Sequence, residues 1–295
     1  MATLRDIRNH IHGVQNTQKI TKSMKTMAMV RLQKQEEHTR NSRPFSDTVV
    51  DLLSHLGETL PEEYLGEGDF FAYKTEGAEL WVVFTADRGL CGNFNSNILR
   101  FVDKEYADAQ KLGRVVQIIW VGVKGVQHAE RRGYPVRKKF IHMPPEPSQD
   151  ISQAISEDCQ NAFLKEGARQ VFLIYNHFVS VLKREVRKVQ FLPIEYSVHR
   201  RLAGEAFPLY LTEPSAEAIL DQLMPLYLQT RIYQTLLESN ASEHAARMMT
   251  MDQATNNAKA LLEDLTLQYN KARQAAITKE LVEVVSAAEA LQEEK

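Results

Sequence analysis

The sequence predicts an α/β domain inserted between two terminal helices, which pair as a long antiparallel two-helix coiled coil. The first observation is where helix breakers fall. Of 13 glycines and 10 prolines, only Gly13 and Pro44 precede residue 57, and residues 226–295 contain neither type. The second is that apolar residues at both ends recur with a mean step of about 3.5 residues, which is typical of helices that pair along one seam.

The C-terminal seam predicts one side of the coiled coil. Its positions alternate steps of four and three: Leu237, Ala241, His244, Met248, Met251, Thr255, Ala258, Leu262, Leu265, Tyr269, Ala272 and Ala276. The pattern then shifts by one residue and continues as Ile277, Leu281, Val284, Ala288 and Leu291. A helix over residues 226–295 would be about 105 Å long, so we expect it to project from a compact domain. An amphipathic helix packed on its own domain is the alternative.

The N-terminal seam predicts the other side of the coiled coil. It comprises Leu4, Ile7, Ile11 and Val14 and, after a polar interruption at Gln18, Ile20, Met24 and Met27. The predicted division is an N-terminal helix over 1–57, an α/β domain over 58–207 and a C-terminal helix over 208–295. The apolar tip at 284–291 should then extend beyond its partner helix and offer a partner surface. A frayed helix end is the alternative.

The middle of the chain alternates strand-like and helix-like segments. Apolar, β-branched runs lie at Leu80–Thr85, Val115–Val121, Val171–Tyr175 and near Val186–Ile194, and helical patterns lie at 95–112, 124–132 and 151–166. This alternation predicts a Rossmann-like, mostly parallel sheet with helices on its faces. The two patterns after Phe178, VSVLKREV and RKVQFLPI, predict an antiparallel closing edge.

Composition excludes several classes of protein. With 36 basic and 38 acidic residues, the net charge of −2 argues against a dedicated nucleic-acid binder. Two cysteines cannot build a disulfide framework. No apolar run is long enough to span a bilayer, and the first residues lack the apolar stretch of a signal peptide, so neither insertion nor export is expected.

The segment Asp87–Asn95, DRGLCGNFN, is the most enzyme-like stretch, because it follows a strand and opens a helix. It lacks both the G-x-G-x-x-G pattern and the phosphate-loop lysine. Gly89 and Gly92 are therefore interpreted as turn residues, with Asn95 or Ser96 as the helix N-cap, and a nucleotide site is the alternative. We expect Cys91 to be a buried thiol and Arg137–Lys139 to be solvated surface, with a partner-binding patch as the alternative for the latter. No catalytic, cofactor-binding or metal-ligating residue is predicted.

Four stretches of the chain resemble the gamma subunit family of ATP synthase. They are Arg8–Lys25, with VQNTQKITKSMK; Asp87–Gly92 followed by Asn95–Asn97, with DRGLCG and NSN; Glu238–Ala258, with ESNASEHAARMMTMDQATNNA; and Leu265–Leu291, with LTLQYNKARQAAITKELVEVVSAAEAL. Because these stretches occur in order at both ends and in the middle, the resemblance covers essentially the whole chain.

The resemblance implies the central rotor shaft of F1. Such a shaft turns inside a ring of three alpha and three beta subunits, beside the epsilon subunit and the membrane c-ring, and couples ion flow to ATP synthesis on beta. It implies no catalytic residue, no cofactor and no nucleic-acid partner in this chain. The lack of a transit peptide before Met1 favours a bacterial member of the family, and such a member would lie at the cytoplasmic face of the inner membrane, which it reaches only through the complex.

The resemblance also implies which residues contact the stator. Met24, Lys22 and Lys25 would face the acidic lever region of beta. Contacts with loops of the alpha–beta ring are implied for Glu243, Arg247, Gln274, Thr278 and Glu280. The bearing tip would comprise Val284, Val285, Ala288 and Leu291. The alternative for the contact residues is a solvated coiled-coil flank.

A second hypothesis is a nucleotide-dependent α/β enzyme whose coiled coil serves as a dimerisation arm. The missing phosphate-loop lysine argues against it, as does the concentration of family motifs in the terminal helices.

Overall fold

The computed structural model describes residues 3–59, 70–194 and 212–293. The chain divides into two compact units, one formed by Met1–Met27 with Met248–Lys295 and the other by Ala28–Arg247. Among the helices described, none combines the length and the apolar character needed to cross a membrane. The predicted boundaries near 57 and 207 stay predictions, because 60–69 and 195–211 lie outside the described residues.

Ten elements follow one another along the described chain. They are α1 (Leu4–Thr59), β1 (Glu79–Phe84), α2 (Phe94–Lys111), β2 (Val116–Val121), α3 (Val123–Arg132), β3 (Lys138–Phe140), α4 (Gln149–Leu164), β4 (Gln170–Phe178), β5 (Arg184–Leu192) and α5 (Ala216–Glu293). The two terminal helices, α1 and α5, have 56 and 78 residues and continue through Pro44 and Pro225, respectively. The predicted α/β fold with two long terminal helices is thus confirmed.

The sheet has the strand order β3-β2-β1-β4-β5. Strands β1 to β4 pair in parallel, and β5 pairs antiparallel with β4, which confirms the predicted mostly parallel sheet with an antiparallel edge. Two details of the prediction were wrong. The pattern VSVLKREV supplies the turn and the start of β5 rather than a strand of its own, and the short strand β3 was not predicted.

Helices cover both faces of the sheet in the unit Ala28–Arg247. Because side chains alternate along a strand, Leu80, Val82 and Phe84 of β1 pack towards α4 and the long helices, whereas Trp81 and Val83 pack towards α2 and α3. All six residues of β1 are buried. This central strand therefore holds the two hydrophobic layers of the unit together.

The helix pair forms the other unit. Thr21 on α1 contacts Thr255 on α5, with their hydroxyls 2.8 Å apart, and Val14 packs on Ala258 and Leu265. The contacts of α1 move towards its N-terminus as those of α5 move towards its C-terminus, so the two helices run antiparallel. All twelve predicted seam positions from Leu237 to Ala276 are buried or half-buried.

The N-terminal seam was only partly predicted. Ile20 and Met27 were expected to face the partner helix, but both are more than half exposed. The seam instead continues from Val14 without a break in period, through half-buried Gln18 to buried Thr21 and Ala28. Polar Thr21 is accepted there because its hydroxyl hydrogen-bonds both Thr255 and the Gln18 carbonyl.

Candidate functional site

The three implied contacts on α1 differ in how available they are. Lys22 is exposed, whereas Met24 is half-buried in the seam. Lys25 is half-buried and its ammonium lies 2.6 Å from the Asp252 carboxylate of α5. A carboxylate of any partner would therefore have to compete with this intramolecular ion pair for Lys25.

The implied contacts near the end of α5 form an exposed helix surface. Gln274, Thr278 and Glu280 are all exposed. Gln274 and Thr278 are four residues apart and therefore share one face of the helix. These polar side chains are free to meet a partner without any rearrangement of the helix pair.

The implied bearing tip is apolar and exposed where its side chains are described. Val284 and Val285 are 67% and 54% exposed. Ala288 and Leu291 belong to α5 by their backbone, but their side chains lie outside the described residues. Ile277 and Leu281, in the shifted phase of the seam, are also about half exposed or more, so the apolar surface begins before the tip.

Glu243 and Arg247 are brought together as an ion pair. Arg247 Nη1 lies 2.7 Å from Glu243 Oε1, and the two side chains are only 11% and 16% exposed, respectively. Arg247 also donates from Nη2 to the Gly89 carbonyl oxygen at 3.3 Å. Burial raises the pKa of Glu243, and the neighbouring Arg247 opposes that rise. The charged groups of these two residues therefore bind partners within the chain.

His244 lies beside this ion pair and is neutral at pH 7. Burial, reinforced by the positive charges of Arg247 and Arg31, lowers the pKa of His244 to about 4. Its Nδ1 lies 3.4 Å from Arg247 Nη1, and only an unprotonated nitrogen can accept that hydrogen bond. A neutral imidazole beside two guanidinium groups avoids a third buried positive charge.

The loop 87–93 has a different geometry from the one predicted. Asn93 occupies the N-cap position of α2 without a side-chain cap, so the expected capping by Asn95 or Ser96 was wrong. Asn95 instead accepts from the Ala86 amide and donates to Cys91 Sγ.

Within the loop, Gly92 has a left-handed backbone, and so does Leu90, whose side chain is 63% exposed. Cys91 is buried as predicted, and burial raises the pKa of its thiol.

The carboxylate of Asp87 lies at the N-terminus of α3 and binds backbone amides there. It accepts from the amides of Val123, the first residue of α3, and of His142 and Met143, at 2.9, 3.3 and 2.7 Å. The N-terminus of a helix at the carboxyl end of a parallel strand is the usual anion site of such folds. Here the chain provides the anion itself at the start of α3, whereas the nucleotide-site alternative concerns the start of α2.

A cavity of about 420 Å³ adjoins this loop in the unit Ala28–Arg247. Its lining combines the ends of β1 and β2, the proline-rich loop at 143–145, and the α5 residues Ser239, Asn240 and Glu243. Among the described residues, no group of three metal-ligating side chains comes together. Glu146, the residue that follows the loop at 143–145, forms an ion pair with Lys34 of α1.

Sequence reasoning missed two structural roles. Arg137 was expected to be solvated, but it is largely buried and binds both Asp158 and Glu166, which ties the start of β3 to α4. The role of Asp87 was also missed, although its position at the end of β1, before a glycine-containing loop, could have suggested it.

Comparison with known proteins identifies the family. A family profile described as ATP synthase matches residues 3–291. The ATP synthase gamma chain of Chlorobaculum parvum is 39% identical over 300 residues, covering 99% of this chain and 100% of that protein. The ATP synthase gamma chain of Halothermothrix orenii is 37% identical over 292 residues, with the same coverage.

Solved structures agree with these matches. A chain from the central stalk and c-ring of Tetrahymena thermophila mitochondrial ATP synthase superposes with a TM-score of 0.59 at 27% identity, covering 80% of this chain and 99% of that one. A chain of Euglena gracilis mitochondrial ATP synthase has a TM-score of 0.68 at 17% identity over 98% and 94% of the two chains, which shows a shared fold. The chain described here therefore belongs to the ATP synthase gamma chain family.

Proposed function

We propose that this chain is the central rotor shaft of an F-type ATP synthase and couples ion flow through a membrane ring to ATP synthesis on beta subunits. The observation that supports this most is the antiparallel pairing of α1 with α5, together with exposed side chains along the C-terminal part of α5. A helix pair of this kind resists bending and can carry torque.

The chain itself contributes no catalytic residue in this proposal. Three features support this: the self-occupied helix N-terminus at Asp87, the raised pKa of the buried Cys91 thiol, and the pairing of Glu243 with Arg247. A shaft acts by contacting each catalytic subunit differently at a given moment. It can shift the affinity of a subunit only by the difference in its contact energy with that subunit's states.

The proposed partners are an alpha–beta ring of three and three subunits, the epsilon subunit and the c-ring. Contacts with the ring are proposed for Lys22, Met24, Lys25, Gln274, Thr278 and Glu280, of which Lys22 and the last three are exposed. The apolar side chains of Val284 and Val285 suit a bearing, because a contact without charge or deep interlocking slides at low cost. For Glu243 and Arg247, a contact with the ring stays a prediction. Because both side chains are largely buried, only their exposed atoms could make such a contact.

The proposed location is the cytoplasmic face of a bacterial inner membrane, through the complex. Co-purification of the tagged chain tests the assignment: alpha, beta and epsilon subunits should accompany it. The combined variant Gln274→Ala, Thr278→Ala and Glu280→Ala should lower coupled ATP synthesis in membrane vesicles. Lys111→Ala, an exposed change in the α/β unit, is the matched control and should leave it unchanged. Recovery of the chain without these partners would overturn the proposal.

The enzyme hypothesis is tested by equilibrium dialysis of the isolated chain with ATP and NAD. We expect no tight binding, because the loop before α2 lacks the phosphate-loop lysine and Asp87 already occupies the amides at the start of α3. Tight binding together with turnover by the isolated chain would favour the enzyme instead.

A further inference from the structure

The loop 87–93 is held at its start by the hydrogen bonds of Asp87 to α3 and residues 142–143, and it is hydrogen-bonded to α5 through the side chain of Arg247. Its guanidinium donates to the Gly89 carbonyl oxygen at 3.3 Å. The other nitrogen of the fork is held 2.7 Å from Glu243 and faces His244 Nδ1 at 3.4 Å. The fork geometry of arginine thus fixes the loop and two positions of α5 at once.

The surface covered by this loop is small and apolar. Cys91 is 2% exposed and packs with Ala86, Phe94 and Ala246, the last of which lies on α5 next to Arg247. At the loop tip, Leu90 is 63% exposed and has a left-handed backbone conformation. A non-glycine residue in this region stores strain that neighbouring contacts must hold.

We propose that Arg247, oriented by Glu243, is a latch that keeps the loop 87–93 closed on α5, and that releasing the latch exposes Cys91. Arg247 is a positioning residue in this assignment: it acts through the Gly89 carbonyl on the loop and touches no reacting group. The latch lies within the unit Ala28–Arg247 and does not depend on the rotary role of the chain.

The two cysteines of the chain make the latch measurable. Cys91 lies under the loop, whereas Cys159 lies on α4 in the sheet core and is fully buried. Opening of the loop alone exposes Cys91, and unfolding of the unit exposes both thiols. A thiol that reacts only from the open state reports the population of that state.

The experiment measures the rate at which N-ethylmaleimide labels each cysteine in the folded full-length chain, with the two sites separated by mass spectrometry. Losing hydrogen bonds to a charged group shifts such an equilibrium by about tenfold or more. We therefore expect Arg247→Ala to speed labelling of Cys91 by about that factor without changing Cys159. Arg247→Lys keeps the charge but loses the fork, so its rate should lie between that of Arg247→Ala and that of the unmodified chain.

Arg132→Ala is the matched control, because it removes an arginine that pairs with Asp103 elsewhere in the same unit, and it should label like the unmodified chain. If Arg247→Ala does not fold, as judged by circular dichroism, Glu243→Gln provides the test and should also speed labelling of Cys91 alone. The latch is wrong if Cys91 keeps its original rate in the folded variant, or if both cysteines accelerate together.

Discussion

The Lys25 ammonium lies 2.6 Å from the Asp252 carboxylate and joins α1 to α5 within the helix pair. Both side chains are 40% exposed, and ion pairs at such positions contribute about 1 kcal/mol or less. Lys25→Ala should therefore lower the free energy of unfolding by no more than about 1 kcal/mol in urea titrations. A larger loss would mean that the pair is a structural requirement.

The same lysine is a proposed stator contact, and the two roles can be separated. Coupled ATP synthesis in vesicles should fall more for Lys25→Ala than for Asp252→Ala, since both remove the internal ion pair but only the first removes a cation from the rotor surface. Equal effects would assign Lys25 to the helix pair alone.

Met24→Lys should impair coupling while leaving the chain folded. Met24 is half-buried beside Lys25, and a lysine there can extend its ammonium to the helix surface and add a third cation near Lys22. If this surface faces acidic loops of beta, the added attraction holds rotor and stator too tightly. Proton pumping and ATP synthesis in vesicles measure the effect, and Met24→Leu is the control of similar volume. Normal coupling by the lysine variant would contradict the assigned contact.

Gly122→Ala should destabilise the α/β unit strongly. Gly122 has a φ of +94°, and a Cβ there would lie 2.2 Å from the backbone oxygen of Thr85. Gly113 also has a positive φ, of +68°, but its Cβ would meet nothing within 4 Å. We expect a cost of about 1–2 kcal/mol for Gly113→Ala, from backbone strain alone, and about 3 kcal/mol or more for Gly122→Ala. If the two variants lose similar amounts of unfolding free energy, the backbone at Thr85 can move away from the added Cβ at little cost.

His244 should make the chain less stable in mild acid. Its folded pKa is about 4 and its ordinary value is 6.5, so between these values the unfolded chain binds a proton that the folded chain does not. The free energy of unfolding therefore falls as the pH drops through this window, by at most about 1.4 kcal/mol per unit from this residue. The difference between the unmodified chain and His244→Gln in urea titrations at several pH values isolates the contribution. An identical pH dependence for both would contradict it.

Deleting Val284–Lys295 should weaken coupling without unfolding the α/β unit. The described side chains of this segment, those of Val284, Val285 and Ser286, are exposed. Thermal unfolding followed by tryptophan fluorescence reports the α/β unit, because Trp81 and Trp120 are fully buried there. A lower melting temperature would show that the tip supports the rest of the molecule.

The fold was largely predictable because its main signals are local. Glycine and proline placement marked the long helices, and the run LWVVFT marked the central strand. Strand β3 escaped prediction because two of its three residues, Lys138 and Lys139, are exposed lysines, and only pairing with β2 makes the segment a strand.

The candidate site was less predictable, because its contacts join residues far apart in the chain. The seam on α1 was misplaced at Ile20 since hydrophobicity alone cannot reveal that Thr21 finds a hydroxyl partner on α5. Likewise, the sequence does not show that Arg247 is bound within the chain, because its hydrogen bond to Gly89 spans 158 positions. Charged side chains take their role from such distant partners, which periodicity does not show.

Asp87 gives the α/β unit a property that nucleotide-binding folds of similar architecture lack. Those folds leave the amides at a helix N-terminus open to a bound phosphate. In this chain a permanent carboxylate satisfies the amides at the start of α3 and of the neighbouring loop. The stability of this part of the unit should therefore not depend on the concentration of phosphate or nucleotide.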